Sequence, residues 1–264
     1  LEWDGSSLSG RRISSGWAEK QYMYFASFFS AIPTSVIMIK SGRQAEGRSV
    51  EGANIACVLG FDLRKGEELI VKTGISAVDE AGAAANLAKE MPGWNFDSVV
   101  VAAAQSWQKK LSIIQAGSVD SATLRIFYTA LYHTMIAPNL YSDADNRYRG
   151  TDNEIHTAGG FTNYTVFSLW DTYRAAHPLF TITVPELVPD FINTMLTIKD
   201  QQGKLPVWSL AGNETNCMIG YHAVPVIADA VHKKITGFDY AKALSASVHS
   251  ASLDFRGLNH YRKY

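Results

Sequence analysis

The sequence predicts a multi-domain β + α chain: part of an N-terminal, antiparallel β-sandwich, a helical linker, and an incomplete α/α barrel or toroid. Three observations predict it. Short β-branched and aromatic runs, separated by Gly- and charge-rich turns, fill residues 1–78. An Ala-rich stretch with helix-capping residues occupies 79–117. From 118 to 264, helix patterns alternate with long loops dense in polar and aromatic side chains. No internal repeat marks the barrel, so the alternation of helices and loops carries that expectation.

The elements follow in order. Residues 21–30 are rich in aromatics, and residues 34–40 (TSVIMIK), 54–60 and 69–78 read as strands. Ser41-Gly42-Arg43 and Arg64-Lys65-Gly66 supply turns between them. Residues 79–90 read as a helix whose acidic first turn suits the helix dipole, and Pro92-Gly93 breaks it. Asp97 can cap a second helix to about residue 114, with Val100, Ala103, Ala104, Trp107 and Leu111 on one stripe. Asp120 or Ser118 can cap a third helix, which runs through Ala137 and stops at Pro138. Residues 141–149 (YSDADNRYR) read as a tight turn between short extended pieces. Helices are expected at about 167–180, 186–200, 224–234 and 239–250, and residues 256–264 read as a helix tail.

Composition narrows the function classes. The chain has 264 residues, 47% hydrophobic and 19% charged, enough to bury a substantial core. Its formal net charge is −1 with no basic block, which argues against nucleic acid, since phosphate binding needs clustered Lys and Arg. Aromatic residues make up 11%, and aromatic platforms suit sugars as well as cores. Cys57 and Cys217 lie far apart, in neither metal nor redox spacing, and read as free thiols. No run approaches the length of a membrane span, and no signal peptide opens the chain. The start at Leu1 and an end without a stop signal lead us to expect truncation at both ends.

Residues 161–229 hold the densest concentration of candidate site residues. On a helix, Asp171 and Arg174 share a face three residues apart, next to Trp170. A carboxylate held by a guanidinium can accept two bonds from vicinal sugar hydroxyls while the indole covers the ring. The same spacing fits an ordinary surface ion pair beside a core Trp. Gly212-Asn213-Glu214-Thr215 brings an amide and a carboxylate to one loop; it reads either as a site loop or as a helix cap. His222 gains interest from its closeness to Glu214, whereas His177 reads as a helix-end residue. Asp143-Ala144-Asp145-Asn146, with Glu154 at the twelfth position, opens like a calcium loop. Arg147 and Tyr148 then stand where a ligand and a Gly are required, so an EF-hand is rejected. Asn163 and Asn213 match the weak Asn-x-Thr pattern. There is no GxSxG, Walker loop, HExxH, or GxGxxG after a strand.

Taken together and in order, these stretches resemble the bacterial exo-acting α-mannosidases of glycoside hydrolase family 92. The resemblance runs from Gly16-Trp17-Ala18, with Gln21 and Tyr24-Phe25, through residues 90–97 (EMPGWNFD) and Ala130-Leu131-Tyr132-His133-Thr134 with Ala137-Pro138-Asn139. It is most specific at residues 167–174 (FSLWDTYR), His177-Pro178-Leu179, residues 203–208 (GKLPVW) and residues 212–222. It implies a β-sandwich joined by helices to an (α/α)6 barrel, of which residues 118–264 would be the first part. It implies inverting, calcium-dependent hydrolysis of terminal α-linked mannose, with α-1,2 linkages expected, and a mannose-containing glycan as partner. Trp170, Asp171 and Arg174 would form the terminal-mannose subsite, with Arg174 holding Asp171 and with Glu214 and His222 in or beside it. The catalytic acid and base are expected beyond Tyr264, as are most calcium ligands. The family also implies a periplasmic, cell-surface or secreted location. A non-catalytic carbohydrate-binding fragment, or another α/α-barrel glycosidase or lyase, remains an alternative.

Overall fold

The structure is a computed structural model that describes residues 1–253. The helix tail expected at 256–264 lies outside the described residues. The chain divides into two compact units. The first comprises Leu1–Ser14, Tyr22–Ala103 and Asp143–Asp145; the second comprises Ser15–Gln21, Ala104–Ser142 and the chain from Asn146 onward.

The first unit is built on two sheets. Strands β1 (Glu2–Trp3), β2 (Ser7–Ser14), β3 (Gln21–Phe29) and β7 (Val71–Ser76) lie in the order β1-β2-β3-β7. Strands β4 (Ser35–Lys40), β5 (Arg43–Ala45) and β6 (Ile55–Gly60) form a second, antiparallel sheet in the order β5-β4-β6. Trp3, Met38 and Val50 are buried in one cluster, with Leu8 and Phe29 from the first sheet and Val36, Ile55 and Leu59 from the second packed against them. The strands expected at 34–40, 54–60 and 69–78 are present, each somewhat shorter than expected, and the aromatic-rich run at 21–30 forms β3. β1 and β2 carry no hydrophobic run, and pairing alone defines them.

Helix α1 (Glu80–Glu90) covers β7. Asp79 caps it by accepting from the Gly82 N–H at 2.6 Å. Gly74 permits the approach: a Cβ there would meet the Ala83 carbonyl oxygen at 2.1 Å. The turn expected at 141–149 is anchored by a buried carboxylate. Asp143 accepts from Ser76 Oγ at 2.6 Å and from Asn86 Nδ2 at 2.8 Å. The Asn86 Oδ1 in turn accepts from the Ala144 N–H at 2.6 Å.

Helix α2 (Phe96–Leu111) starts under an Asn95 cap, whose Oδ1 accepts from the Ser98 N–H at 3.0 Å, so Asp97 sits one residue inside the helix instead. The expected stripe on α2 is not buried: no residue of the helix is. Trp107 instead packs its ring on Tyr132 of α3 (Ser121–Thr134), 4.6 Å between centroids. Asp120 caps α3, accepting from the Ala122 and Thr123 N–H groups at 3.0 and 3.1 Å.

Short strands then organise the loops of the second unit. β8 (Asn139–Leu140) pairs with β11 (Tyr164–Thr165), and β9 (Arg147–Arg149) with β10 (Ile155–Thr157). β12 (Phe167–Ser168) pairs with β13 (Trp208–Leu210), which pairs with β14 (Asn213–Glu214). Helices α4 (Leu169–Thr172), α5 (Ala176–Thr183), α6 (Val188–Gln202), α7 (Ala223–His232) and α8 (Tyr240–Ser252) complete the unit. The core gathers Phe180 from α5, Phe191, Ile192 and Met195 from α6, Val226 and Ile227 from α7, and Ala243 and Ala246 from α8. Phe167 and Leu169 reach into it from the segment before α4.

The continuous helix expected at 167–180 is absent. Phe167 and Ser168 are extended and hydrogen-bonded to β13, and α4 stops at Thr172. Pro178 then falls in the first turn of α5, where a missing N–H costs nothing, so it begins a helix instead of ending one.

Candidate functional site

The site residues expected from sequence fall around the β12-β13-β14 sheet and the short helix that leaves it. Asp171 is exposed on α4. Ser168 Oγ donates a very short hydrogen bond to Asp171 Oδ2, which fixes the direction of the carboxylate and leaves Oδ1 without a partner among the described residues. Arg174 does not hold Asp171: no ion pair joins them among the described residues. The reason is geometric. Spacing of three brings two side chains together only on a continuous helix, and α4 has ended before Arg174 is reached.

Arg174 takes a different place. Its guanidinium lies 4.9 Å from the Tyr173 ring centroid and 5.8 Å from that of Trp170. Tyr173 stacks on His222, 4.3 Å away and 6° from parallel, and Trp170 meets the same imidazole edge-on at 5.0 Å. His222 stands at the N-terminal boundary of α7 but makes no side-chain cap bond. Its Nε2 is buried and unpaired. Burial first, and then the positive charge of Arg174, push the imidazole below its ordinary pKa, which favours the neutral ring. Trp170, Tyr173, Arg174 and His222 thus form one cluster, in which Tyr173 meets both Arg174 and His222.

Glu214 lies on the neighbouring hairpin, where its carboxylate is directed at the backbone. Oε2 accepts from the Val207 N–H at 2.7 Å; Oε1 accepts from the Trp208 and Asn216 N–H groups, both at 2.9 Å. Gln202 Nε2 reaches Oε2 at 3.5 Å. The hairpin turns on Ala211 and Gly212, at φ 48° and 68°, the left-handed pair that a two-residue turn of this twist requires. A Cβ on Gly212 would come within 2.9 Å of the Arg149 carbonyl oxygen.

Neither Asn213 nor Thr215 caps a helix. Asn213 grips residue 20 by its backbone, accepting from the Lys20 N–H at 3.0 Å and donating to its carbonyl at 2.9 Å. That clasp holds residues 15–21 against the hairpin and sets Trp17 beside Trp208, with ring centroids 5.4 Å apart. Trp17 is 66% exposed, an open aromatic face within reach of solvent. Trp17 and Trp208 are 191 positions apart in the chain, so only folding pairs them and no local motif marks the pair. Asn213 and Asn163, the two Asn-x-Thr matches, are only 7% and 4% exposed, so neither presents its amide for glycosylation in the folded chain.

His177 occupies the first turn of α5, buried on Phe167, Phe180 and Phe191 and away from this cluster. No three His, Cys, Asp or Glu side chains converge to hold a metal ion among the described residues. Nor is any helix among them long and apolar enough to cross a membrane.

Comparison with known proteins returns one family. The model of the glycosyl hydrolase family 92 catalytic domain matches residues 82–264. A family 92 α-mannosidase of Bacteroides thetaiotaomicron is 39% identical and superposes with a TM-score of 0.91 over 98% of this chain and 36% of its own. A second structure of that enzyme is a complex with mannoimidazole, at a TM-score of 0.89. A family 92 inverting mannosidase of the same organism is 26% identical, with a TM-score of 0.88 over 100% of this chain and 37% of its own. A protein of Arthroderma benhamiae named as a secreted glycosidase is 26% identical over 188 residues, 69% of this chain and 20% of its own. The chain thus spans about a third of the solved structures it matches and a fifth of the curated relative.

Proposed function

The chain belongs to glycosyl hydrolase family 92, and from that membership we propose that the protein carrying it removes terminal α-linked mannose from glycans with inversion at the anomeric carbon. In this reading the first unit is part of a β-sandwich and the second is the beginning of an (α/α)6 barrel. The α-1,2 linkage belongs to the proposal. So does an extracytoplasmic location, which the name of the fungal relative supports.

One observation carries the site assignment. Asp171 is an exposed carboxylate, fixed by Ser168, with one oxygen unpartnered among the described residues; Trp170 precedes it in the chain, and Trp208 is the register partner of Ser168. A fixed carboxylate beside an aromatic face can take two sugar hydroxyls and cover the ring. Trp170 supplies the apolar wall. His222, neutral and stacked, holds Trp170 and Tyr173 in place, and Arg174 contributes positive charge over both rings. Inverting hydrolysis needs a general acid and a general base roughly 6.5–9.5 Å apart with a water between. We assign neither role to Asp171 or Glu214, and place both groups outside the 264 residues. Calcium has no assigned ligand here, and nothing in this reading passes through it.

Asp171→Asn in the full-length protein tests the assignment. It removes the charge but keeps the shape, so kcat/KM on an α-mannoside should fall at least about 100-fold, with an unchanged melting temperature. A variant as fast as the parent removes Asp171 from the site.

The second reading, a carbohydrate-binding module without turnover, applies to these residues taken alone. In this reading they contain the hydroxyl-binding carboxylate, and among the described residues no second unengaged carboxylate is assigned beside it.

A further inference from the structure

The donors around Glu214 use up most of its capacity to bind anything else. A carboxylate offers about four lone-pair sites. Three backbone donors occupy three of them, the Val207 N–H on Oε2 and the Trp208 and Asn216 N–H groups on Oε1, and Gln202 Nε2 stands 3.5 Å from Oε2. Little acceptor capacity remains for a sugar hydroxyl.

What the carboxylate does is join two strands of chain. Val207 and Trp208 lie on one side of the hairpin, Glu214 and Asn216 on the other. Thr215 adds to the grip: its N–H and its Oγ1 both donate to the Trp208 carbonyl, at 3.1 and 3.0 Å. The N–H and the carbonyl of Trp208 are therefore both held by the run 214–215. Asn216 is itself in a left-handed conformation, φ 49°, and its Oδ1 accepts from the buried ammonium of Lys204. An anion and a cation thus fix the two ends of the same residue.

The grip extends to the mannose site through the sheet. Trp208 is the register partner of Ser168 across β12 and β13, and Ser168 Oγ orients Asp171. We propose that Glu214 is a positioning residue: it fixes the Trp208 backbone and, through it, the Ser168–Asp171 pair, without touching the sugar. The proposal rests on the reading of Asp171 as the mannose ligand.

The test uses the full-length protein and the variant Glu214→Gln, which keeps the side-chain volume but turns a donor toward N–H groups. Amide hydrogen exchange without sugar reads the clamp directly. Protection at Val207, Trp208 and Asn216 should fall about 10- to 100-fold. Kinetics on an α-mannoside and on its 2-, 3-, 4- and 6-deoxy analogues read the role. A positioning residue lowers kcat/KM by the same factor, about 10-fold or more, on every analogue. A direct ligand instead loses its effect on the one analogue that lacks its hydroxyl, and that pattern overturns the proposal, as does unchanged exchange at the three amides. If Glu214→Gln does not fold, Thr215→Val removes the Oγ1 bond to the Trp208 carbonyl, together with the one Oγ1 accepts from the Cys217 N–H at 3.3 Å, keeps the backbone N–H bond, and should give a smaller loss with the same evenness. A parent protein that hydrolyses no α-mannoside would refute the family-based reading instead; the exchange measurement still decides whether the clamp exists.

Discussion

His177 and His222 show how far one residue type can diverge within a single chain. Both are flanked by aromatic rings, but His177 is 5% exposed and packs on three Phe rings, whereas His222 stacks at the edge of the site. Burial drives the His177 pKa down from 6.5 to about 4. The sign of the consequence follows from proton counting. Between about pH 6.5 and pH 4 the unfolded chain takes up a proton that the native chain refuses, so stability falls as the pH falls through that window. The total is about 3 kcal/mol, fully present as stability above the unfolded value. His177→Phe, which fills the same aromatic slot, should remove this component. Urea titrations at about pH 7 and about pH 4.5 check it: the parent should lose about 2 kcal/mol more than the variant over that interval, and equal losses refute the assignment. A reading of sequence finds a His before a Pro and cannot see this, because burial is set by Phe167, Phe180 and Phe191, which converge only in the folded chain.

At the scale of elements, strands and caps were legible where the residues themselves carry the cause. Asp120 caps α3 as its place before the helix suggests, whereas Asp79, expected inside the first turn of α1, caps it and Asn95 takes the cap expected of Asp97; the apolar runs at 34–40 and 54–60 pair as strands. Two elements defied their patterns. The helical period over 167–180 is real, yet pairing of Phe167 and Ser168 with β13 and the turn after α4 override it, because those partners are some 40 residues away in the chain. The stripe on α2 has the period of a buried face without a burying partner among the described residues. The α1–β7 contact offers a sharp test of packing at this scale. Gly74 is the one position on β7 where a side chain would strike the backbone of α1, at 2.1 Å from the Ala83 oxygen and 2.8 Å from Leu87 Cβ. Gly74→Ala should cost about 1–3 kcal/mol, since neither atom can move without shifting the helix. Ser27 Oγ and Thr73 Oγ1, 2.9 Å apart beside it, give a control: Thr73→Ser keeps the hydroxyl and should cost less than about 1 kcal/mol. Thermal unfolding of both variants measures the difference, and an equal cost would falsify the close-approach argument.

For the molecule as a whole, the family was legible, and the geometry that divides labour within the candidate site was not. Trp170-Asp171 and Gly212-Asn213-Glu214-Thr215 stand out in sequence as polar clusters. Nothing in their spacing separates Asp171, exposed and half-engaged, from Glu214, held by the backbone. The same accounting leads to a prediction about the polypeptide of 264 residues taken alone. Of the carboxylates described at the site, only Asp171 has an open oxygen. Inversion requires two carboxyl groups acting on opposite sides of the bond, with room for water. Apolar side chains also stand in solvent along the helices: Val100 on α2 is 50% exposed, and Leu244 and Val248 on α8 are 67% and 59% exposed. Surfaces of that kind favour association and bind hydrophobic dyes. The isolated polypeptide should therefore bind such a dye, and Leu244→Ser with Val248→Ser should reduce the signal. It should release no detectable mannose from an α-mannoside over hours at high protein concentration. Release that disappears in the Asp171→Asn variant of the same polypeptide would show that these residues hold the hydrolytic groups after all, and would move the acid and base into this chain.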